Sequence, residues 1–95
     1  MNNDGKVIRL NIPTLTEDRR RDLVKVVHSR LEEGRVSIRN VRRDLMKDLK
    51  EFEKEKWISE DDLETAEEEL QKLTDKMVVM VDAIGEKKQK EIMEV

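Results

Sequence analysis

The only proline in the chain is Pro13, and nothing downstream of it forbids a helix. Thr16 is a good N-cap, and Glu17 and Asp18 follow in the first turn, where carboxylates favour the helix dipole. We expect a first helix from Glu17 to about Glu55, roughly 58 Å long. Its apolar seam reads Val24, Val27, Leu31, Gly34, Ile38, Val41, Leu45, Leu49 and Phe52, in steps of 3 and 4 close to a heptad repeat. Gly34 is the weak point, since an interior glycine costs up to about 1 kcal/mol against alanine. It either bends the helix or lets another helix approach closely. The expectation is one continuous helix.

Lys56, Trp57 and Ile58 then make a turn. Ser59 is the next N-cap, and Asp62 sits where the acceptor of a capping box belongs. The second helix is expected from Glu60 towards the C-terminus, with Gly85 and the lysine-rich 86–90 stretch fraying its end. Its seam, Leu63, Ala66, Leu70, Leu73, Met77, Met80 and Ile84, is a strict heptad. So short a connection turns the second helix back antiparallel along the first. The fold class is therefore all-α: a long, coiled-coil-like antiparallel two-helix hairpin over residues 16–95. Residues 1–15 form a disordered or extended lead-in, with 6–12 alternating like a lone strand up to Pro13. Val26, Val36, Met46, Val78, Val79 and Val81 fall off both seams. Burying each is worth roughly 1.5–3 kcal/mol, so the pattern asks for a third helix. The hairpin is an incomplete three-helix bundle. Either the chain is a piece of a longer protein, or it pairs with itself or with a partner.

Composition narrows the chemistry. The chain has 95 residues, no cysteine, one histidine and only two aromatic residues, Phe52 and Trp57. A disulfide framework and a thiolate metal site are excluded. The longest apolar run, Met77 to Val81, is far short of the roughly 20 residues needed to span a bilayer. His28 is a single mid-helix histidine, and Ser29 beside it does not face it. The acidic runs Glu60–Asp62 and Glu67–Glu69 lack the alternation and glycine of a calcium loop. Gly5, Gly34 and Gly85 are too far apart to cradle a phosphate. No catalytic residue, metal site or cofactor is expected, and the chain is not expected to be an enzyme.

Charge is distributed unevenly. Residues 16–50 hold eleven basic and seven acidic side chains, and residues 51–95 hold seven and fifteen. A polyanion would meet the first helix and not the second. Arg35, Arg39 and Arg42, spaced 4 and 3, stack on one helix face with Arg43 beside them. Guanidinium groups match phosphate bidentately, so this row is a candidate site for a phosphate-bearing partner. The competing reading is a charged face that pairs with the acidic second helix, or with Glu32, Asp44 and Asp48 on its own helix. Arg19, Arg20 and Arg21 oppose the dipole of the first helix and hint at an outside anion. Trp57 is exposed or packs on the hairpin end, with base stacking a lesser alternative. Met77 and Met80 read as core filler.

Several segments together resemble one family. Ile12-Pro13-Thr14-Leu15-Thr16-Glu17-Asp18-Arg19-Arg20 is similar to the "PLTEERR" segment of ribosome-recycling factors. The run Arg35-Val36-Ser37-Ile38-Arg39-Asn40-Val41-Arg42-Arg43-Asp44 resembles that family's arginine motif. Ile58-Ser59-Glu60-Asp61-Asp62 and Gln71-Lys72-Leu73-Thr74-Asp75-Lys76 match two further signatures in order, and Lys90-Glu91-Ile92-Met93 fits its usual ending. The resemblance covers residues 6–95. Leu45 and Met46 stand where a small residue is common, Gly34 replaces a common alanine, and Trp57 is large for that turn.

The resemblance implies an L-shaped protein. One arm is a three-helix bundle, and a smaller domain is inserted after its first helix. This chain would supply the second and third bundle helices. The family binds the post-termination ribosome and, with elongation factor G and GTP, splits the subunits and releases mRNA and tRNA. It performs no covalent chemistry itself. Its bundle arm lies against large-subunit (23S-type) ribosomal RNA, and its RNA-facing arginines fall on Arg39 and Arg42, with Arg35 and Arg43 as supports. The implied location is the bacterial cytoplasm, or an organelle if a transit peptide has been lost. Two alternatives stay open: a non-catalytic hairpin that self-associates or binds a partner helix through its apolar groove, and a truncated fragment without recycling activity.

Overall fold

In a computed structural model, which describes residues 16–94, the chain is two helices and a tight turn. Helix α1 spans Glu17–Lys54 and helix α2 spans Glu60–Glu94, and they pack against each other as an antiparallel hairpin. The two rods are about 57 and 52 Å long at 1.5 Å per residue. The lead-in over residues 1–15, including the alternating 6–12 segment, lies outside the described residues. Among the described residues no helix is long and apolar enough to cross a membrane.

The helix ends follow their capping chemistry. Thr16 Oγ1 accepts the Arg19 N–H at 3.1 Å and starts α1. Ser59 and Asp62 form the reciprocal capping box: the Ser59 N–H donates to Asp62 Oδ2 at 3.2 Å, and the Asp62 N–H donates to Ser59 Oγ at 3.0 Å. Between them, α1 closes with a Schellman motif. The Trp57 N–H reaches back to Phe52 O at 2.8 Å and the Lys56 N–H to Glu53 O at 2.9 Å. The Trp57 ring stacks on Phe52 with centroids 5.4 Å apart, the apolar contact that accompanies this cap. Lys56 occupies the left-handed position at φ 62°, where glycine is the unstrained choice.

Both helices meet along a stripe that is not the expected heptad. On α2 the stripe runs through Leu63, Glu67, Leu70, Thr74, Val78, Val81, Gly85, Gln89 and Ile92, with Ala66 half-buried beside it. On α1 they include Val24, Val27, Leu31, Arg35, Ile38, Arg42, Met46, Leu49 and Glu53. Both sets step 4, 4, 3 and so repeat every eleven residues, close to the 3.6-residue turn of a straight helix. A heptad stripe drifts by about 20° per heptad against such a helix. Leu63 and Leu70 belong to both stripes. By Leu73, Met77, Met80 and Ile84 the heptad has rotated out of the contact, and Ile84 is 63% exposed. Val41 and Leu45 on α1 are exposed with them. Val78, Val81 and Met46, which fall off the expected seams, are instead half-buried between the helices. The apolar surplus exists: Val26, Val36 and Val79 stay exposed as expected, and the part of the expected α2 seam from Leu73 to Ile84 stands uncovered with them.

No hydrophobic side chain is buried among the described residues; only Thr74, 7% exposed, and Gly85 are. Thr74 satisfies its hydroxyl by donating to Leu70 O at 2.8 Å. Gly85 does not fray α2. It lets α1 come close, because a Cβ there would fall on Leu31 Cδ1. Gly34 interrupts nothing, and a Cβ built on it meets nothing within 4 Å. The close approach therefore belongs to the second glycine and not the first.

Polar ties span the hairpin from its middle to its open end. Arg35 Nε and Nη2 both donate to Asp82 Oδ1, at 2.9 and 2.6 Å. Nearer the open end, His28 Nε2 lies 3.2 Å from Gln89 Oε1. Arg20 Nη1 donates to Ile92 O at 3.0 Å and to Met93 O, which supplies a positive group to the last turn of α2, where no basic residue of its own lies.

Three outcomes follow for stability, read by urea or thermal unfolding monitored by circular dichroism. Gly34→Ala should stabilise by up to about 1 kcal/mol through helix propensity alone. Gly85→Ala should destabilise by about 1 kcal/mol, since overpacking against Leu31 outweighs the same propensity gain. Lys56→Gly should stabilise by about 1 kcal/mol by relieving the left-handed backbone. Loss of stability in Lys56→Gly would contradict the Schellman assignment.

Candidate functional site

The charged face of α1 lies on the opposite side of the contact stripe from the exposed apolar groove. Ser37, Ile38, Val41, Leu45, Leu70, Leu73 and Met77 line that groove. On the other side, Arg39, Arg42, Gln71, Thr74, Asp75, Val78 and Val79 line an open recess. Arg42 borders both. One hairpin thus presents an apolar surface and a cationic surface back to back.

The four candidate arginines are not equivalent. Arg35 is the most enclosed, with its side chain 24% exposed. Besides Asp82 it donates through Nη1 to Glu32 Oε2 at 3.2 Å. The hydrogen bond to Asp82 raises its pKa above the ordinary arginine value, so it stays charged wherever the protein is folded. Its charge is matched within the chain, and it ties α1 to α2. Arg39 is 54% exposed, and its Nη1 lies 3.9 Å from Glu32 Oε1, an ion pair beyond hydrogen-bond reach. Arg42 is half-buried and donates from Nη1 to Gln71 Oε1 at 3.4 Å. It makes no ion pair among the described residues. Arg43 is exposed, with Nε 3.9 Å from Asp44 Oδ1.

The hairpin brings Arg39 and Arg42 into one recess with Gln71 and Asp75 of α2. Arg43 lines a different hollow with Met46, Lys47, Lys50, Glu51 and Lys54. Lys47, Lys50 and Lys54 therefore continue the cationic edge towards the turn. The signal for them is the 4, 4, 3, 4 spacing that runs on from Arg39 and Arg43. Glu32 and Asp82 satisfy one arginine closely, and Glu32 leaves a second at long range. The competing expectation of a charged face neutralised by the acidic second helix thus fits Arg35 but not Arg42.

Two of the three arginines in the second basic cluster have partners within the chain. Antiparallel packing sets the start of α1 beside the end of α2, so Arg20 faces the C-terminal carbonyls of that helix and not an outside anion. Arg21 pairs with Asp18 at 3.7 Å. Trp57 keeps 72% of its surface exposed, but one face of its ring is taken by Phe52. Among the described residues no group of histidine and carboxylate side chains is arranged to hold a metal ion.

Comparisons with known proteins give the family of the chain. The family model described as ribosome recycling factor matches residues 1–93. The ribosome-recycling factor of Symbiobacterium thermophilum is 58% identical over 93 residues, covering 98% of this chain and 50% of that protein. That of Alkaliphilus metalliredigens is 57% identical over 93 residues, with the same coverage. That of Dehalococcoides mccartyi is 49% identical over 94 residues, covering 99% of this chain and 51% of the relative. The chain spans about half the length of the curated relatives it matches. On the strength of a match along nearly its whole length, the chain belongs to the ribosome-recycling factor family.

Proposed function

We propose that this chain forms the RNA-facing part of a factor that recycles ribosomes after termination in the bacterial cytoplasm. In this reading it binds large-subunit ribosomal RNA of the post-termination ribosome through Arg39 and Arg42. Arg35 sets the face and Arg43 extends it. With elongation factor G, the whole factor splits the subunits and releases mRNA and tRNA. It acts by binding and not by covalent chemistry. Membership of the family supports the role, and the bacterial relatives support the location.

The observation that carries the reading is the contrast along the arginine row. Arg35 is matched by two carboxylates, whereas Arg42 has none within ion-pair distance among the described residues. A guanidinium without an internal counter-charge keeps its attraction for phosphate. It is also mounted on a 38-residue helix, so little backbone freedom is lost on binding. The exposed stripe of Val41, Leu45, Leu73, Met77, Met80 and Ile84 supports the same reading. Full burial would be worth roughly 1.5–3 kcal/mol for each side chain, comparable in sum to the whole stability of a small domain. In the proposed factor a further helix of the bundle covers that stripe and leaves the arginines outward.

Replacing both Arg39 and Arg42 by alanine should weaken binding to isolated large ribosomal subunits. Each lost phosphate contact should flatten the salt dependence by about 0.7–0.9 in slope. Arg35→Ala should lower the unfolding midpoint of the hairpin, because it removes the tie to Asp82. Undiminished binding by the double variant would remove the basis for this role.

The apolar stripe also favours a second reading, a non-catalytic hairpin that pairs with a second copy of itself. Sedimentation equilibrium separates the two. Under this second reading the chain is a dimer at high micromolar concentration. A monomer with cooperative unfolding excludes it.

A further inference from the structure

Arg42 is held by a neutral amide, and that amide is itself held. Gln71 Nε2 donates to Asp75 Oδ1 at 2.9 Å, one helical turn along α2. Gln71 Oε1 then accepts from Arg42 Nη1 at 3.4 Å, across the hairpin. A primary amide has a direction: two donors at one end and an acceptor at the other. With its NH2 turned to the Asp75 carboxylate, its oxygen is what remains for the guanidinium. A flipped amide would set NH2 against guanidinium and oxygen against carboxylate, two repulsions at once. Asp75 therefore sets the sense of Gln71, and Gln71 sets the direction of Arg42.

We propose that Gln71 and Asp75 are positioning residues that aim Arg42 at an RNA phosphate, an inference that rests on reading the arginine face as the RNA-binding surface. The choice of an amide matters physically. It engages one of the five guanidinium N–H groups and leaves the net charge intact. A carboxylate in the same place would hold the guanidinium more firmly and cancel its charge, as Asp82 and Glu32 do for Arg35. Asp75 lines the recess but forms no ion pair with Arg39 or Arg42 among the described residues. Its negative charge reaches the arginine through an uncharged intermediary. That arrangement gives orientation without neutralisation, which is what a phosphate-seeking arginine requires.

A positioning role and a charge effect predict opposite signs for one substitution. By charge alone, removing Asp75 from a phosphate-binding surface tightens binding. If Asp75 orients Gln71, removing it loosens binding. The experiment measures binding of the 95-residue chain to isolated large ribosomal subunits across a salt series, with helix content followed by circular dichroism. Arg42→Ala should weaken binding and flatten the salt slope by about 0.7–0.9. Gln71→Ala and Asp75→Ala should each weaken it about three- to tenfold with unchanged slope and helix content. Gln71→Glu should weaken binding and also flatten the slope, because it neutralises Arg42. In the Arg42→Ala background neither Gln71→Ala nor Asp75→Ala should have a further effect. If Arg42→Ala weakens binding while Asp75→Ala leaves it unchanged or tightens it, the positioning role is overturned and the RNA-facing arginine stands. If Arg42→Ala itself changes nothing, the RNA-facing reading fails and the positioning role with it.

Discussion

The eleven-residue contact stripe between α1 and α2 decides everything else about the surface of this hairpin. Because both helices keep to a 4, 4, 3 step, they stay in contact from Leu63 near the turn to Ile92 near the open end. The stripe is narrow and only half-buried, with Thr74 and Gly85 at its tightest points. Two faces are left over. One is apolar and carries the leucines, methionines and isoleucine of the heptad that rotated away. The other is charged and carries the arginines. Neither face is consumed by the hairpin's own packing, so the molecule can present opposite chemistries on its two sides.

Electrostatics divide the charged face further. Arg35 closes on Asp82 and Glu32 and belongs to the architecture. Arg39 and Arg42 lie four and seven residues further along the same row, Arg39 in only a long ion pair and Arg42 on an amide oxygen. A single helix thus supplies the interhelical tie and the outward cations from one periodic motif. The same economy appears at the open end, where Arg20 serves the carbonyls of α2.

Local chemistry was the most legible part of the fold. Thr16, Ser59 with Asp62, and the absence of proline after Pro13 are short-range signals, and the helix bounds follow from them. The stacking of Arg35, Arg39 and Arg42 was equally legible, since 4 and 3 spacing on a helix leaves no choice. The register of the contact was not. Leu63 and Leu70 fit both a seven- and an eleven-residue repeat, and the larger side chains at 73, 77, 80 and 84 bias any reading towards the heptad. What selects the other stripe is the small residue Gly85, which admits Leu31, together with the Arg35–Asp82 tie. Both are interhelical and invisible to a pattern read along one strand of sequence. The division of labour among the arginines depends on the same partners across the hairpin and was equally hidden.

The central claim is that the arginine side of the hairpin, and not its apolar side, faces ribosomal RNA. The chain has no cysteine, so a single introduced thiol can carry a hydroxyl-radical source to a chosen face. Val79 lies on the arginine recess and Ile84 on the apolar stripe, and both are exposed. With the source on Val79→Cys, large-subunit RNA should be cleaved locally in the bound complex. From Ile84→Cys, cleavage should be weak or absent. Strong cleavage from Ile84→Cys with none from Val79→Cys would contradict the account.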